Sequence, residues 1–347
     1  MTPSLLSGEG SAESTRRALE ALVGAFVDAS EGVDLLQERV KSGVYRLRFP
    51  MNGATRSCIA KRLDPDIALR NELVARRWLP AVGLGDLGPP LLAVAAEHDA
   101  SSVWHLYDDL GDSELGGEEA DSGRVETAVA AIAQIHTRFA GHALLPECRL
   151  WGGDLGISFY SSSVRDAITS LEAARARGGR LSRQGASLCE RLLARLSDLL
   201  GELAPRTATL ARHGGPETLL HGDLWRTNVM VVGNGATTHV RLIDWDHAAV
   251  GPFSYDLSTL LSRFPAGNRM AILGLYEEEV GRAGWALPPL AELNGLFETA
   301  ELARIANRVI WPALAAWEHD AGWALGALEE VERWFERLTS ILPPEET

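Results

Sequence analysis

The sequence predicts an α+β fold in which an antiparallel sheet comes first and a mainly helical part follows. Between residues 43 and 49 apolar and polar side chains alternate, and a second β-type run, Ser57–Leu63, follows a turn at residues 50–53. This period of two is typical of paired strands. From Ser122 onward apolar residues recur at spacings of three and four, which indicates amphipathic helices. We therefore expect a sheet-containing lobe and a helical lobe.

Composition and charge limit the classes of function. The chain has 347 residues, of which 46% are hydrophobic and 23% charged, as in globular proteins. Its formal net charge of −14 disfavours general binding to nucleic acids and anionic membranes, and it favours a cationic ligand. Cys58, Cys148 and Cys189 are scattered, and Glu9 and Glu13 are not typical of a secretory signal. We therefore expect a cytoplasmic protein without a membrane span.

The order of elements supports this division into two parts. In the first part we expect the helices Ser14–Val27 and Ile67–Leu79 and the strands 43–49, Ser57–Leu63, Leu91–Ala95 and Val103–Tyr107. In the second we expect a helix that starts at Ser122, followed by the helices Ser162–Ala176, Ala186–Leu203, Arg269–Ala283, Glu292–Val309 and Gly322–Thr339. His136 lies beside the apolar stripe of the Ser122 helix and is expected to be structural.

The stretch 219–256 carries the polar residues that indicate chemistry. Two β-type runs flank a turn at residues 233–235, which predicts a hairpin. If the turn is centred near Ala236, Asn228 on the first strand lies opposite Asp244 at the end of the second. An amide oxygen and a carboxylate suit Mg²⁺, which binds one or two protein oxygens together with waters and substrate phosphates.

Asp223 stands five residues before Asn228 and is expected at the same end of the hairpin. A carboxylate that lies beside a metal ion without binding it can orient an attacking hydroxyl group or accept its proton. The sequence therefore predicts Asp223 as the catalytic residue.

The segments HGDLWRTNVMV and LIDWDHAAVGPFSYDLSTL resemble the aminoglycoside phosphotransferase and choline kinase family. The first segment also resembles its counterpart in fructosamine kinases, so the motif indicates the superfamily better than the substrate. The resemblance implies a protein-kinase-like fold with two lobes, ATP and Mg²⁺ as cofactors, and a small-molecule acceptor. It implies Asp223 as catalytic base, Asn228 and Asp244 as magnesium ligands, and Asp256 as a structural acid.

The resemblance extends to the nucleotide site. Lys61 and Glu72 resemble the strand lysine that binds the α- and β-phosphates in kinase folds and the helix glutamate that orients it. Ser42 and Gly43 resemble a reduced glycine-rich loop whose backbone N–H groups approach a phosphate. Residues 106–109, including Tyr107 and Asp109, are expected to form the hinge that faces adenine. The lobes are then residues 1–107 and 108–347.

Other functions remain open at this level. His221, Asp223, Asp244, Asp246 and His247 are also compatible with a metal-dependent hydrolase. A catalytically inactive nucleotide-binding module is a third alternative.

For a kinase, the expected acceptor is a small molecule that bears an amine and a hydroxyl, such as an aminoglycoside-like antibiotic, another natural product or an amino alcohol. The net charge and a group of acidic residues favour a cationic acceptor: Asp108, Asp109, Asp154, Asp246, Glu318 and Asp320. The sequence does not identify the acceptor or the oligomeric state.

Overall fold

The computed structural model describes residues 19–20, 22–24, 36–51, 53–97, 99–116, 122–176, 182–233, 238–318 and 322–343. The chain divides into two compact units. The first, the sheet unit, comprises Met1–Glu114 and Met230–Asp246, and the second, the helical unit, comprises Leu115–Val229 and His247–Thr347. This division differs from the expected boundary between residues 107 and 108, because the segment 230–246 belongs to the sheet unit. The cause is β-pairing of Met230 with Glu114 and a hydrogen bond from Val231 N–H to the carbonyl oxygen of Ser113 (2.7 Å).

The sheet unit contains a five-stranded antiparallel sheet in the order β1-β2-β3-β5-β4. Its strands are β1 (Leu36–Lys41), β2 (Val44–Met51), β3 (Ala54–Leu63), β4 (Leu91–Ala96) and β5 (Val103–Asp108). Lys61 on β3 pairs with Val44 on β2 and with His105 on β5. The sequence did not predict β1, whose six residues are all exposed and half of which are charged, so no apolar alternation marks them.

The two faces of this sheet have different roles. One face is apolar and packs on the described helical residues near the N-terminus: the cluster contains Leu19, Leu22, Val23, Leu47, Phe49, Cys58, Ala60, Trp104 and Leu106. The rest of the expected helix Ser14–Val27 lies outside the described residues. Because successive side chains point to opposite faces of a strand, Lys61, His105 and Tyr107 lie on the other face.

Helix α1 (Pro65–Leu73) follows β3 and continues into a π-helical turn, Val74–Trp78, and a last short turn, Leu79–Ala81. Asp64 is extended and Pro65 occupies the first turn, where its missing N–H costs no hydrogen bond. The buried side chains of this helical stretch are Ala68, Asn71, Val74, Trp78 and Leu79. Asn71 is thus a polar residue on the buried stripe.

The helical unit consists mainly of nine helices in the part of the chain described. They are α2 (Ser122–Phe139), α3 (Leu145–Trp151), α4 (Ile157–Ala176), α5 (Arg183–Gly201), α6 (Leu203–His213), α7 (Ser254–Ser262), α8 (Ala266–Arg282), α9 (Leu290–Glu318) and α10 (Ala324–Arg337). The expected helix Ala186–Leu203 ends at Gly201, and α9 is 29 residues long, well beyond the expected end at Val309. Helices α4, α5, α9 and α10 share one apolar core.

Two small antiparallel pairs complete the fold. The first joins β6 (Glu217–Leu220) to β9 (Ala249–Pro252), with Leu220 opposite Ala249, and the second joins β7 (Val229–Val232) to β8 (His239–Leu242). The sheet-then-helix arrangement confirms the predicted α+β fold. Among the described helices none is both long enough and apolar enough to cross a membrane.

Candidate active site

The segment that carries Asp223 is anchored by a buried carboxylate in the helical unit. The backbone N–H groups of His221 and Gly222 donate to the two carboxylate oxygens of Asp256, at 2.7 and 2.9 Å. His136 Nε2 lies 3.4 Å from the same carboxylate, and its Nδ1 lies 2.8 Å from the hydroxyl oxygen of Tyr276. This network gives Asp256 the structural position that the resemblance implied, and it explains the buried His136.

Burial alone would raise the pKa of Asp256, yet the hydrogen bond and charge of His136, together with the N–H of His221, lower that pKa below its ordinary value. The carboxylate is therefore held in its charged form. A charged acceptor makes stronger hydrogen bonds than a neutral one, so the start of the segment that carries Asp223 is fixed firmly.

Gly222 is required by both conformation and space. Its φ is +81°, a left-handed conformation that side chains rarely adopt. A Cβ atom at this position would lie 1.9 Å from the carbonyl oxygen of His247. The chain can therefore turn from β6 into the segment that carries Asp223 only with glycine here.

Asp223 and Asn228 are joined through the backbone. The side-chain amide of Asn228 donates to the carbonyl oxygen of Asp223 (2.9 Å), which also accepts the N–H of Trp225 (2.8 Å). The nitrogen of the Asn228 amide is thus fixed, and its oxygen accepts no hydrogen bond from the described residues. The Asp223 carboxylate likewise accepts none within the described part of the chain, so both oxygen groups are available to a ligand.

The surroundings of Asp223 contain an arginine that sequence reasoning did not single out. The guanidinium carbon of Arg263 lies 3.3 Å from the centre of the Trp225 ring, which is a cation–π contact. Burial lowers the pKa of Arg263 below its ordinary value, and the negative charges of Glu301 and Asp223 oppose this shift. Nothing in the residue spacing indicates this contact, because residue 263 follows the end of α7.

In the sheet unit, Lys61 binds two carboxylates. Its ammonium nitrogen lies 2.5 Å from Oδ1 of Asp244 and 2.7 Å from Oδ1 of Asp246. Lys41, at the end of β1, lies 3.3 Å from Oδ2 of Asp244. A strand lysine is thereby placed beside the segment that the sequence predicted to bind the metal ion.

Asp244 has an unusual backbone conformation and an unusual charge environment. Its φ of +65° is rare for a residue with a side chain and marks local strain, which tends to be retained at functional sites. Burial would raise the pKa of Asp244, but the charges and hydrogen bonds of Lys61 and Lys41 lower it well below its ordinary value. The carboxylate is therefore charged and able to bind a cation.

The expected contact between Lys61 and Glu72 does not occur. Glu72 accepts a hydrogen bond from Arg76 at 2.5 Å, one turn further along the helix. Lys61, Asp244 and Asp246 form an ion-pair cluster, called here the Lys61 cluster. The helix residue that faces this cluster is Asn71, whose side-chain nitrogen lies 2.9 Å from Oδ1 of Asp246. Successive residues of a helix differ by about 100° in direction, so only one of the two neighbours can face this cluster.

The turn between β1 and β2 is formed by Ser42 and Gly43. Gly43 has a φ of +69°, and its carbonyl oxygen accepts the N–H of Arg62 at 2.7 Å. The single glycine is therefore needed for the turn. Its place between Lys41 and Val44 puts the turn at the same end of the sheet as Lys61, because Val44 and Lys61 are register partners.

Tyr107 and His105 lie on the same sheet face as Lys61. The Tyr107 hydroxyl oxygen is 2.8 Å from His105 Nδ1. Burial, followed by the positive charges of Lys61 and Arg76, lowers the pKa of His105 to about 4, so the imidazole is neutral. The pKa of Tyr107 is raised by burial and by the negative charges of Asp246 and Asp244.

Several of the acidic residues that suggested a cationic acceptor are paired with arginines. Asp109 binds Arg46 at 2.8 Å and accepts the Ser57 hydroxyl at 2.6 Å, which ties the expected hinge to β2 and β3. In addition, Asp108 binds Arg56 at 3.1 Å and Asp154 binds Arg149 at 3.0 Å. Asp320 and the side chain of Glu318 lie outside the described residues.

The predicted site residues are divided between the two units. The helical unit holds Asp223 and Asn228, and the sheet unit holds Ser42, Gly43, Lys61, Glu72, Tyr107, Asp109 and Asp244. The amide oxygen of Asn228 and the charged carboxylate of Asp244 are each of the hard-oxygen type that Mg²⁺ prefers as a ligand. Among the described side chains, no group of three or more His, Cys, Asp or Glu residues is arranged to hold a metal ion.

The fold matches solved structures of kinases that act on small molecules. A choline/ethanolamine kinase family protein from Mesorhizobium loti is 16% identical, with 93% of this chain and 94% of that chain covered and a TM-score of 0.53. An ethanolamine kinase from Plasmodium vivax is 12% identical (94% and 95% covered, TM-score 0.57). A spectinomycin phosphotransferase, in complex with ADP and spectinomycin, is 12% identical (93% and 98% covered, TM-score 0.55). No curated protein matches the sequence.

The protein-kinase-like fold and the family of the sequence together define a small-molecule kinase, as the sequence predicted. The family model described as "Phosphotransferase enzyme family" matches residues 38–293, and the chain belongs to this family. The match includes both strands of the hairpin, the Lys61 cluster and the Asp223 segment. Of the alternatives, the metal-dependent hydrolase is therefore set aside.

Proposed function

We propose that this enzyme transfers the γ-phosphoryl group of ATP, in the presence of Mg²⁺, to a hydroxyl group of a small molecule that bears an amine. The proposal rests on the rigid backbone and the available carboxylate of Asp223. Its backbone is fixed by Asn228, the preceding residues are anchored on Asp256, and its carboxylate is free of hydrogen bonds from described residues. A rigidly held, available carboxylate is what a hydroxyl nucleophile needs.

The nucleotide would be bound by groups of the sheet unit. Lys61 supplies a positive charge for the phosphates, and the N–H groups of the Ser42–Gly43 turn supply hydrogen bonds to them. Backbone groups of residues 106–109 would bind the adenine edge. Because the Asp109 side chain is already paired with Arg46, we assign its contribution to the backbone.

Asn228 and Asp244 would hold the magnesium ion. When bound, the ion supplies positive charge that offsets the charge of the phosphates. Asp223 would orient the acceptor hydroxyl and accept its proton while the oxygen forms a bond to the γ-phosphorus and the bond from that phosphorus to ADP breaks. The products are ADP and the phosphorylated acceptor.

The amine on the acceptor is supported by the net charge of −14 and by the spectinomycin bound in one structural neighbour. Asp108, Asp109 and Asp154 are each paired with an arginine, which neutralises their charge locally. A cationic acceptor would therefore be attracted by the net negative charge of the whole protein and not by these three carboxylates. Arg263 adds a positive charge near Asp223.

We further propose that the enzyme works in the reducing environment of the cytoplasm. The support is that Cys58, Cys148 and Cys189 are all buried and are not joined in disulfide bonds. Localisation of the tagged full-length chain by fluorescence microscopy or cell fractionation tests this part independently of activity.

A screen of acceptors tests the function. Aminoglycosides, spectinomycin-like aminocyclitols, amino alcohols, sugars and neutral macrolides are each incubated with the enzyme, ATP and Mg²⁺, and phosphorylated products are detected by mass spectrometry. We expect a product whose mass is raised by one phosphoryl group with at least one hydroxylated amine. Transfer only to neutral sugars would contradict the amine, and the absence of transfer to every class would contradict the kinase proposal.

A further inference from the structure

We infer that Asn71 is a positioning residue of the nucleotide site: its amide holds the Asp246 carboxylate against the ammonium group of Lys61. This inference rests on the proposed binding of ATP by Lys61. It assigns to Asn71 and Asp246 the task that the sequence pattern assigned to Glu72.

The contacts of Asn71 define its role. The side chain is 1% exposed, and its nitrogen donates both to the carbonyl oxygen of Ile67 (2.9 Å) and to Oδ1 of Asp246 (2.9 Å). The first bond, one turn back along α1, fixes the direction of the amide. The second then fixes the carboxylate, which lies 2.7 Å from the Lys61 nitrogen through the same oxygen and 2.9 Å through the other. Helix α1 therefore reaches Lys61 through two hydrogen-bonded side chains.

The chemistry of this position requires a neutral donor. Lys61 already has two carboxylate partners, Asp244 and Asp246, and an acidic side chain at position 71 would add a third negative charge next to Asp246. An amide donates a hydrogen bond to the carboxylate without adding charge. Arg70, the preceding residue, donates to the backbone carbonyl oxygen of Asp246, so the helix holds this residue at both its backbone and its side chain.

The two carboxylates are held differently, and this indicates different tasks. Asp244 is bound by the flexible side chains of Lys41 and Lys61, whereas Asp246 is also bound by a buried residue of α1. Asp244 can exchange its lysine contacts for a cation. Asp246 is fixed, and it serves as the point of attachment that keeps Lys61 in place.

Nucleotide affinity provides the test, because it is measured without turnover. The dissociation constant of ATP is determined by calorimetry, with and without Mg²⁺, for wild type, Asn71→Ala and Asn71→Asp. The exposed Asn268→Ala on α8 is the control for the same chemical change. We expect both Asn71 variants to weaken ATP binding by about tenfold or more in either condition, the factor expected for one lost hydrogen bond to a charged group. The control should stay within about twofold of wild type.

A comparison of the two Asn71 variants separates positioning from packing. Asn71→Asp keeps the size of the side chain, so a purely structural role would make it milder than Asn71→Ala. Because the aspartate adds a charge beside Asp246, we expect Asn71→Asp to be at least as damaging to ATP affinity. In steady-state kinetics the Michaelis constant for ATP should rise more than kcat falls. Thermal unfolding of each variant shows whether it is folded, and Asn71→Asp remains informative if the alanine variant does not fold.

A double-mutant cycle decides whether Asn71 acts through Asp246. If it does, Asn71→Ala has almost no further effect on ATP affinity in the Asp246→Ala background. Additive effects, or a loss at Glu72→Gln greater than that at Asn71→Ala, would overturn the inference. A wild-type enzyme that binds ATP tightly and Asn71 variants that bind it equally well would overturn this inference alone. A wild-type chain that binds no ATP would overturn the proposed function with it.

Discussion

The backbone N–H of Gly222 donates to Oδ1 of Asp256 at 2.9 Å, inside the helical unit. The other carboxylate oxygen accepts the N–H of His221, so one buried side chain holds the two residues that precede Asp223. We expect Asp256→Asn to lower the free energy of unfolding by about 3 kcal/mol, because hydrogen bonds to a charged group contribute about 1.5–3 kcal/mol each and an amide offers only one acceptor oxygen. Urea unfolding at pH 7 measures this difference.

The same contact predicts a dependence on pH. The pKa of Asp256 is lower in the folded chain than its ordinary value, so the folded state binds fewer protons than the unfolded state as the pH approaches about 4 from above. The stabilisation by Asp256 is complete above the ordinary pKa and is lost as the pH falls through the lower, folded value. The difference between wild type and Asp256→Asn should therefore shrink below about pH 4. A constant difference from pH 7 down to acid unfolding would argue against this account.

Gly222 provides a test of the close approach to His247. Gly222→Ala would place a Cβ atom 1.9 Å from a backbone oxygen at a φ of +81°, and we expect a loss of more than about 3 kcal/mol of stability. Gly274→Ala is the matched control, since nothing lies within 4 Å of its added Cβ in α8. The control should be neutral or stabilising by about 0.5–1 kcal/mol. Equal stabilities of the two variants in urea unfolding would contradict the packing argument.

Asp244 and Asp246 are expected to differ in their effect on magnesium. Asp244→Ala should abolish turnover and remove most of the dependence of ATP affinity on Mg²⁺, because Asp244 is the proposed metal ligand. Asp246→Ala should weaken ATP binding about equally with and without Mg²⁺, because it affects Lys61. Titration of ATP at several Mg²⁺ concentrations measures both. If Asp246→Ala removes more of the Mg²⁺ dependence than Asp244→Ala, the metal ligand has been assigned to the wrong residue.

The dependence of the Michaelis constant on salt concentration tests whether the acceptor is cationic. Attraction between exposed charges decays over a Debye length of roughly 10 Å at 0.1 M salt, so the Michaelis constant of a polyamine-like acceptor should rise several-fold between about 0.02 and 0.5 M salt. The Michaelis constant for ATP should not rise in parallel, because the net charge of the protein is negative. If the best acceptor proves neutral, or if its Michaelis constant does not respond to salt, the net negative charge of the protein does not attract the acceptor.

Parts of this fold were predictable because local patterns determine them. The alternation around Lys61 indicated β2 and β3, and the two β-type runs on either side of residues 233–235 indicated the pair β7–β8, although β8 ends at Leu242, two residues before Asp244. Strand β1 could not be predicted, since the charged run Leu36–Lys41 has no apolar alternation and becomes a strand only by pairing with β2.

The resemblance alone could not show which residue of α1 contacts Asp246, the carboxylate that binds Lys61. Glu72 and Asn71 are neighbours, and which of them faces Asp246 depends on how α1 packs on the sheet. One signal was present in the sequence: Asn71 stands three residues before Val74 and seven before Trp78, so it lies on their face of the helix. Contacts between residues distant in sequence, such as Arg263 with Trp225, leave no comparable signal.

The most direct measurement of the central claim is the turnover of Asp223→Asn with the acceptor found by the screen. The substitution keeps the size of the side chain but removes the carboxylate that would orient the hydroxyl and accept its proton. We expect kcat to fall by about 10² or more, as for other positioned acid–base groups, while the dissociation constant of ATP stays near that of wild type. If Asp223→Asn retains a kcat within a factor of a few of wild type, Asp223 is not the catalytic residue and the proposed mechanism is wrong.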